Sequence, residues 1–142
     1  MTDTIAAIPD VALSCAAAVL ARKDYGLRSV LDAVPQPLYV TDDKGLVVFA
    51  NPACEDFAGR APQAGKDRWC VSWKLYTRDG EPLPHEACPM AETIKTRAAV
   101  RGVAATAERP DGTRVSFIPL PTPIFGRGGK LIGAVNMLLA VA

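Results

Sequence analysis

The 142-residue chain carries 16 basic and 15 acidic residues, and 49% of its residues are hydrophobic. This length and composition fit one globular domain with an adequate core. A net charge of +1 provides no long-range field to attract nucleic acid or a membrane surface, so we expect neither as a partner.

The N-terminus and the cysteines indicate a cytoplasmic location. The Ala-rich start contains Asp3 and is interrupted by Pro9 and Asp10, unlike a signal peptide, and no apolar run is long enough to span a bilayer. The four cysteines form no CxxC pair, as expected of reduced thiols, so we predict neither a disulfide nor a structural metal site.

The first elements are helical. Residues 10–23 repeat small and apolar side chains at helical spacing behind Asp10, a potential N-cap, which predicts an amphipathic helix outside the core domain. Residues 26–34 repeat leucine and valine at spacings of three and four, and this short helix must end before Pro35.

A hairpin and a further helix follow. The runs PLYVTD and GLVVFAN are separated by Asp43-Lys44-Gly45, a turn sequence, and predict two antiparallel strands. Asn51 is a potential cap for a helix that begins at Pro52 and ends at Gly59.

The second half of the chain is richer in strands. Residues 60–89 contain many prolines and glycines and predict loops and helical turns, whereas residues 90–97 predict a helix. Three β-rich stretches follow, separated by turns at 110–112 and 126–129. Strands on both sides of a helical insert predict an α+β fold with one antiparallel sheet.

Three motifs resemble the PAS family. The segment LRSVLDAVPQPLYVTDDKGLVVFANPACEDFAG resembles the opening of a PAS domain, ending in the Asn-Pro-Ala helix start at Asn51. The segment DGEPLPHEACPMAETIK is similar to the insert of bacterial sensor PAS domains, preceded by Trp73. The segment ERPDGTRVSFIPLPTPIFGRGGKLIGAVNMLL resembles the closing strands.

The resemblance implies a PAS domain over residues 26–142 and an N-terminal flanking helix over residues 1–25. It implies a five-stranded antiparallel sheet in the order 2-1-5-4-3, with short helices on one face. The flanking helix is expected to cap the domain or to mediate a homodimer.

PAS folds hold ligands between the sheet and the helical insert, in the concave apolar position typical of small-molecule sites. The resemblance therefore implies a candidate pocket, although the same aromatic side chains could simply fill the core. The candidate lining residues are Tyr39, Phe49, Phe57, Trp73, Met90, Ile94, Phe117 and Asn136. Asn136 interrupts an apolar strand, and its amide needs a partner in the ligand or in a neighbouring side chain.

Cofactors are less clearly indicated. His85, Cys88 and Met90 are candidate axial ligands of a haem, although a surface histidine beside a packed cysteine is the favoured interpretation. The Asn-Cys-Arg-Phe-Leu-Gln-like motif of flavin photosensors is absent from the sequence. We therefore expect no flavin.

No nucleophile and base with an orienting group can be recognised, so we predict a binding module and not an enzyme. The interpretation is a bacterial sensory module, such as that of a two-component histidine kinase, which signals to an effector on another segment or chain. The alternatives are an interaction module with a filled core and a haem-based gas or redox sensor.

Overall fold

The computed structural model describes residues 8–22 and 25–141. The first seven residues of the predicted 1–25 flank, and residues 23 and 24, lie outside this description. The helices are α1 (Asp10–Arg22), α2 (Arg28–Asp32), α3 (Pro52–Ala58) and α4 (Pro89–Thr96). The strands are β1 (Leu38–Asp42), β2 (Val47–Ala50), β3 (Lys74–Thr77), β4 (Ala105–Glu108), β5 (Arg114–Pro119), β6 (Thr122–Phe125) and β7 (Leu131–Ala140).

The strands form one antiparallel sheet in the order β2-β1-β7-β5-β4-β3, with β6 also paired to β7. The predicted α+β class and the predicted antiparallel sheet are confirmed. The predicted number of five strands is wrong, because the described residues contain seven.

A proline accounts for one of the two extra strands. β5 and β6 lie along β7 in a single register, since Pro119 is opposite Leu138 and Thr122 is opposite Val135. The Leu120 N–H still donates to the Met137 carbonyl (2.9 Å), but Pro121 has no N–H to donate, and regular pairing resumes only at Thr122. β5 and β6 are thus two halves of one strand, and the predicted order 2-1-5-4-3 is retained through β2, β1, β7, the β5–β6 pair and β4.

The other extra strand is β3, which pairs with β4 in a segment predicted to be loops and helical turns. Only four residues long, it adds a strand at the edge of the sheet next to β4. Its short length among prolines and glycines left no alternating pattern long enough to recognise.

Each face of the sheet is covered by helices. On the inner face, α3 and α4 enclose one buried cluster that includes Ala134 and Leu138 of β7. On the outer face, Ala12 and Ala16 of α1 belong to a second buried cluster with Val135 and Met137 of β7. The N-terminal helix therefore lies on the sheet itself and covers a surface that would otherwise be apolar.

Irregular segments cover both edges of the sheet. At the β2 edge, the Gly65 N–H donates to the Val47 carbonyl, and the Val47 N–H donates to the Asp67 carbonyl (both 2.8 Å). At the β3 edge, the Leu83 N–H donates to the Leu75 carbonyl (2.9 Å). No helix in the described part of the chain is long and apolar enough to span a bilayer.

Asn51 has a different role from the predicted helix cap. α3 does begin at Pro52, but the Asn51 side chain makes no capping hydrogen bond. Its Oδ1 accepts from the Leu38 N–H (3.0 Å), and its Nδ2 lies within hydrogen-bond distance of the carbonyls of Leu31, Val34 and Gln36 (2.9–3.3 Å). This buried amide fastens the loop after α2 to the start of β1.

Candidate ligand-binding site

The inner face brings most of the predicted pocket residues together. Tyr39 from β1, Phe57 from α3 and Phe117 from β5 belong to one buried cluster with two residues of α4, Met90 and Ile94. The rings of Phe57 and Phe117 meet edge to face, with centroids 5.0 Å apart, a favourable aromatic geometry. These five side chains occupy the position between sheet and insert where the resemblance places a ligand.

Phe49, in contrast, lies on the outer face. The β1–β2 register shifts between Val40 and Thr41, which are opposite Phe49 and Val47 respectively, so Val48 is an extra residue in β2. Such a bulge reverses the alternation of side chains, and Val47 and Phe49 consequently belong to clusters on opposite faces. The Phe49 ring is packed under α1 and α2, with the Arg28 guanidinium 5.0 Å from its centroid.

Trp73 lies outside the inner cluster as well. Its side chain is 41% exposed, and the Lys74 ammonium lies 4.5 Å from its ring centroid. It borders a surface cleft next to β3.

A chain of hydrogen bonds crosses the inner face and includes Asn136. The Asn136 Nδ2 donates to the Tyr39 hydroxyl (3.2 Å), which donates to the Trp69 carbonyl (2.8 Å). The Asn136 Oδ1 accepts from the Leu120 N–H (2.9 Å) beside the interruption between β5 and β6. Burial raises the pKa of Tyr39 well above its usual value, so the phenol remains a neutral donor. The Asn136 amide thus connects β7 with β1 and with the segment after β5.

Three buried thiols line the same cluster, those of Cys54, Cys70 and Cys88. The Cys70 Sγ lies 2.9 Å from the Ser72 Oγ, and the Cys88 Sγ donates to the Trp69 carbonyl (3.9 Å). Burial raises the pKa of both Cys54 and Cys88 to about 12, because the thiolate is poorly solvated there. At neutral pH these groups act as weakly polar, protonated packing groups.

The haem-ligand candidates do not face one site. His85 lies on a short helical turn, His85–Ala87, and borders the surface cleft. Cys88 and Met90 belong to the inner cluster instead. Among the described residues, no group of three or more histidine, cysteine, aspartate or glutamate side chains is placed to hold a metal ion.

Thr93 is a buried polar residue that the sequence analysis did not select. It lies on α4 with no exposed surface, and its Oγ1 has no hydrogen-bond partner in the described structure. Threonine hydroxyls in helices usually donate to a carbonyl one turn earlier, as Thr96 does to Glu92 (2.9 Å). The Thr93 hydroxyl is therefore an unused polar group in the core.

We expect Thr93→Val to raise the free energy of unfolding of the ligand-free protein by about 1 kcal/mol, because an unsatisfied buried hydroxyl is destabilising. Urea denaturation followed by circular dichroism measures the change. Thr96→Val is the matched control on the same helix; it removes an exposed hydroxyl that has a partner and should not stabilise. A less stable Thr93→Val protein would show that the hydroxyl is satisfied without a ligand.

Comparison with known proteins finds one family match and several similar solved structures. The PAS domain family model matches residues 27–89. A PAS domain from Colwellia psychrerythraea is 17% identical, with a TM-score of 0.54, and the match covers 80% of this chain and 92% of that one. The LOV domain of the Erythrobacter litoralis EL346 blue-light activated histidine kinase is 19% identical, with a TM-score of 0.56. This match covers 77% of this chain and 98% of that one.

The PAS domain of the fruit-fly ELK potassium channel is also similar in structure, at 11% identity and a TM-score of 0.61, covering 82% of this chain and 94% of that one. No curated protein sequence matches significantly. At these identities the structural matches show a shared fold, and the family match over residues 27–89 adds sequence evidence. The chain therefore has a PAS-like fold, and residues 27–89 match the PAS domain family, in agreement with the sequence resemblance.

Cys54 lies on α3, and its thiol donates to the Leu38 carbonyl (3.4 Å) within the inner cluster. The buried members of this cluster are at most 7% exposed.

Proposed function

We propose that the chain is a cytoplasmic sensory PAS module of a bacterial signal-transduction protein, such as a histidine kinase, that binds a small molecule between the sheet and α4. The observation that carries this proposal is the buried Thr93 hydroxyl without a partner. A ligand atom that hydrogen-bonds to this hydroxyl would remove its desolvation cost. The structural likeness to the LOV domain of a histidine kinase agrees with this role.

The packing around β7 suggests how binding is transmitted. α4, which carries Thr93, contacts β7 on the inner face, and α1 contacts β7 on the outer face. A ligand that prefers one position of α4 shifts the population of sheet conformations to which α1 responds. α1 also presents Val11, which is 65% exposed, as an apolar contact for a second copy or for an effector domain.

A second function is favoured by the close packing of the inner cluster. All its buried members are at most 7% exposed, from Tyr39 on the sheet to Met90 and Ile94 on α4. A PAS domain with a filled core would serve as an interaction module without sensing. In that case the unsatisfied Thr93 hydroxyl would lower the stability of the protein slightly and would contact no ligand.

Native mass spectrometry of the purified full chain, with a visible absorption spectrum, separates these functions. A stoichiometric adduct retained by the native protein and weakened by Thr93→Val, but not by Thr96→Val, would support the sensory module. An adduct-free protein that gains no thermal stability from a metabolite library would support the interaction module. A haem absorption band would contradict both the proposed sensory module and the interaction module. His85, Cys88 and Met90 would then be tested as ligands of the haem iron.

A further inference from the structure

A polar cleft of about 210 Å³ lies at the surface beside β3 and meets the inner cluster only at Cys70. An adjoining groove of about 290 Å³ continues from it, and Trp73 and His85 border both spaces. The cleft is lined by Arg60, Asp67, Arg68, Cys70, Ser72, Trp73 and His85. The groove is lined mainly by apolar side chains, including Leu75, Tyr76, Pro82 and Leu83.

His85 supplies an unused hydrogen-bonding atom here. Its Nε2 is buried and has no partner in the described structure. The nearby backbone of Ser72 favours the charged form of the ring and so opposes the lowering of the His85 pKa by burial. A neutral ring whose proton is on Nδ1 presents Nε2 as an acceptor, whereas a protonated ring offers Nε2–H as a donor.

The charged groups around the imidazole favour an anion. Arg60 forms an ion pair with Asp67 (3.0 Å) and donates to the Val71 carbonyl (2.9 Å), so these two charges compensate each other. Arg68 forms no ion pair among the described residues, and its Nε donates to the Lys44 carbonyl (2.9 Å). Glu86 follows His85 in the turn and is exposed, while Lys74 borders the groove. The cleft therefore has an excess of positive charge.

We propose that this cleft binds the carboxylate of a small organic acid, that the apolar body of the acid lies along the adjoining groove, and that His85 takes up a proton from solvent on binding. Binding requires Nε2 to become accessible, and rotation of the exposed Trp73 side chain, which borders both spaces, would provide this access. The carboxylate then accepts from Nε2–H and lies beside the Arg68 guanidinium, which lines the same cleft. Thr93, which carries the function proposed above, lines neither the cleft nor the groove, so this site is separate from that one.

The sequence contains a single histidine, so the imidazole signals in an NMR spectrum belong to His85 without assignment. In the free protein, burial lowers the pKa of His85 from 6.5, and stability should therefore fall as the pH drops below 6.5. Benzoate is the probe, and we expect it to raise the pKa of His85 by about 1, because a bound carboxylate favours the imidazolium. A change of this size means that benzoate binds about tenfold more tightly to the protein with a protonated His85 than to the protein with a neutral His85.

Two further ligands and two variants make the test selective. Benzyl alcohol keeps the ring of benzoate without the charge, and inorganic phosphate keeps an anionic charge without the ring. Arg68→Gln should weaken benzoate binding severalfold, whereas Lys66→Gln, an exposed residue of the same loop outside the cleft, should not. An unchanged His85 titration with benzoate, or an equal effect of benzyl alcohol or phosphate, would overturn the proposal.

Discussion

Asn51→Ala is expected to lower the free energy of unfolding by about 3 kcal/mol, because the Leu38 N–H and the carbonyls of the preceding loop would lose their buried partner. The side chain is 2% exposed, so water cannot replace the amide without opening the loop between α2 and β1. Urea denaturation followed by circular dichroism measures the loss. A loss below 1 kcal/mol would show that these hydrogen bonds contribute little.

Asn51→Asp keeps the volume of the side chain and changes only its hydrogen bonds, so it separates the two contributions to stability. It keeps Oδ1 for the Leu38 N–H but places a buried carboxylate against three carbonyl oxygens. Such a carboxyl group has a higher pKa in the folded than in the unfolded protein, so the folded state favours its protonated form. The destabilisation relative to wild type should shrink as the pH falls from 7 to 4, whereas that of Asn51→Ala should not.

Gly133→Ala should also lower the free energy of unfolding by about 3 kcal/mol, because there is no space for a methyl group where β1, β7 and α1 meet. A Cβ at this position would collide with the Thr41 carbonyl oxygen and would lie 2.8 Å from a terminal carbon of Leu20. Gly133 pairs with Asp42 in the central strand pair, so the strands cannot separate locally without breaking the ladder. The same denaturation experiment measures the loss.

Cysteine labelling shows whether the lost stability comes from α1. Cys15 lies on α1 and is 7% exposed in the cluster under that helix, so a thiol reagent should modify it faster once Gly133→Ala loosens the helix. Gly112→Ala is the control, because its Cβ would meet nothing within 4 Å and the change costs only about 1 kcal/mol for a left-handed φ. Equal Cys15 labelling in both variants would contradict the packing explanation.

The sequence was sufficient for the elements with strong local signals. Pro52 and Pro89 start α3 and α4, and both helices end in left-handed residues, at Gly59 and at Arg97. The addition of β3, in contrast, depends on its pairing with β4, which is distant in sequence. Local propensity says little about such pairing.

The candidate site shows the same division. Tyr39, Phe57 and Phe117 lie together in the inner cluster. The position of Phe49 on the other face could not be predicted, because the bulge at Val48 is visible only in the pairing with β1. The partners of Asn136 are equally distant, since Tyr39 is 97 positions away in sequence. Thr93 had no recognisable signal, because a helical threonine that lacks its backbone partner looks like any other in the sequence.

The segments that cover both sheet edges also decide how the protein can associate. Fibril growth and domain swapping add strands to unpaired backbone groups at an edge. Here the loop containing Gly65 and Asp67 and the turn before Leu83 already use such groups of β2 and β3. Self-association through the sheet must first displace one of these segments. Proteolytic cleavage near Gly65 is therefore expected to increase aggregation of the protein through the β2 edge.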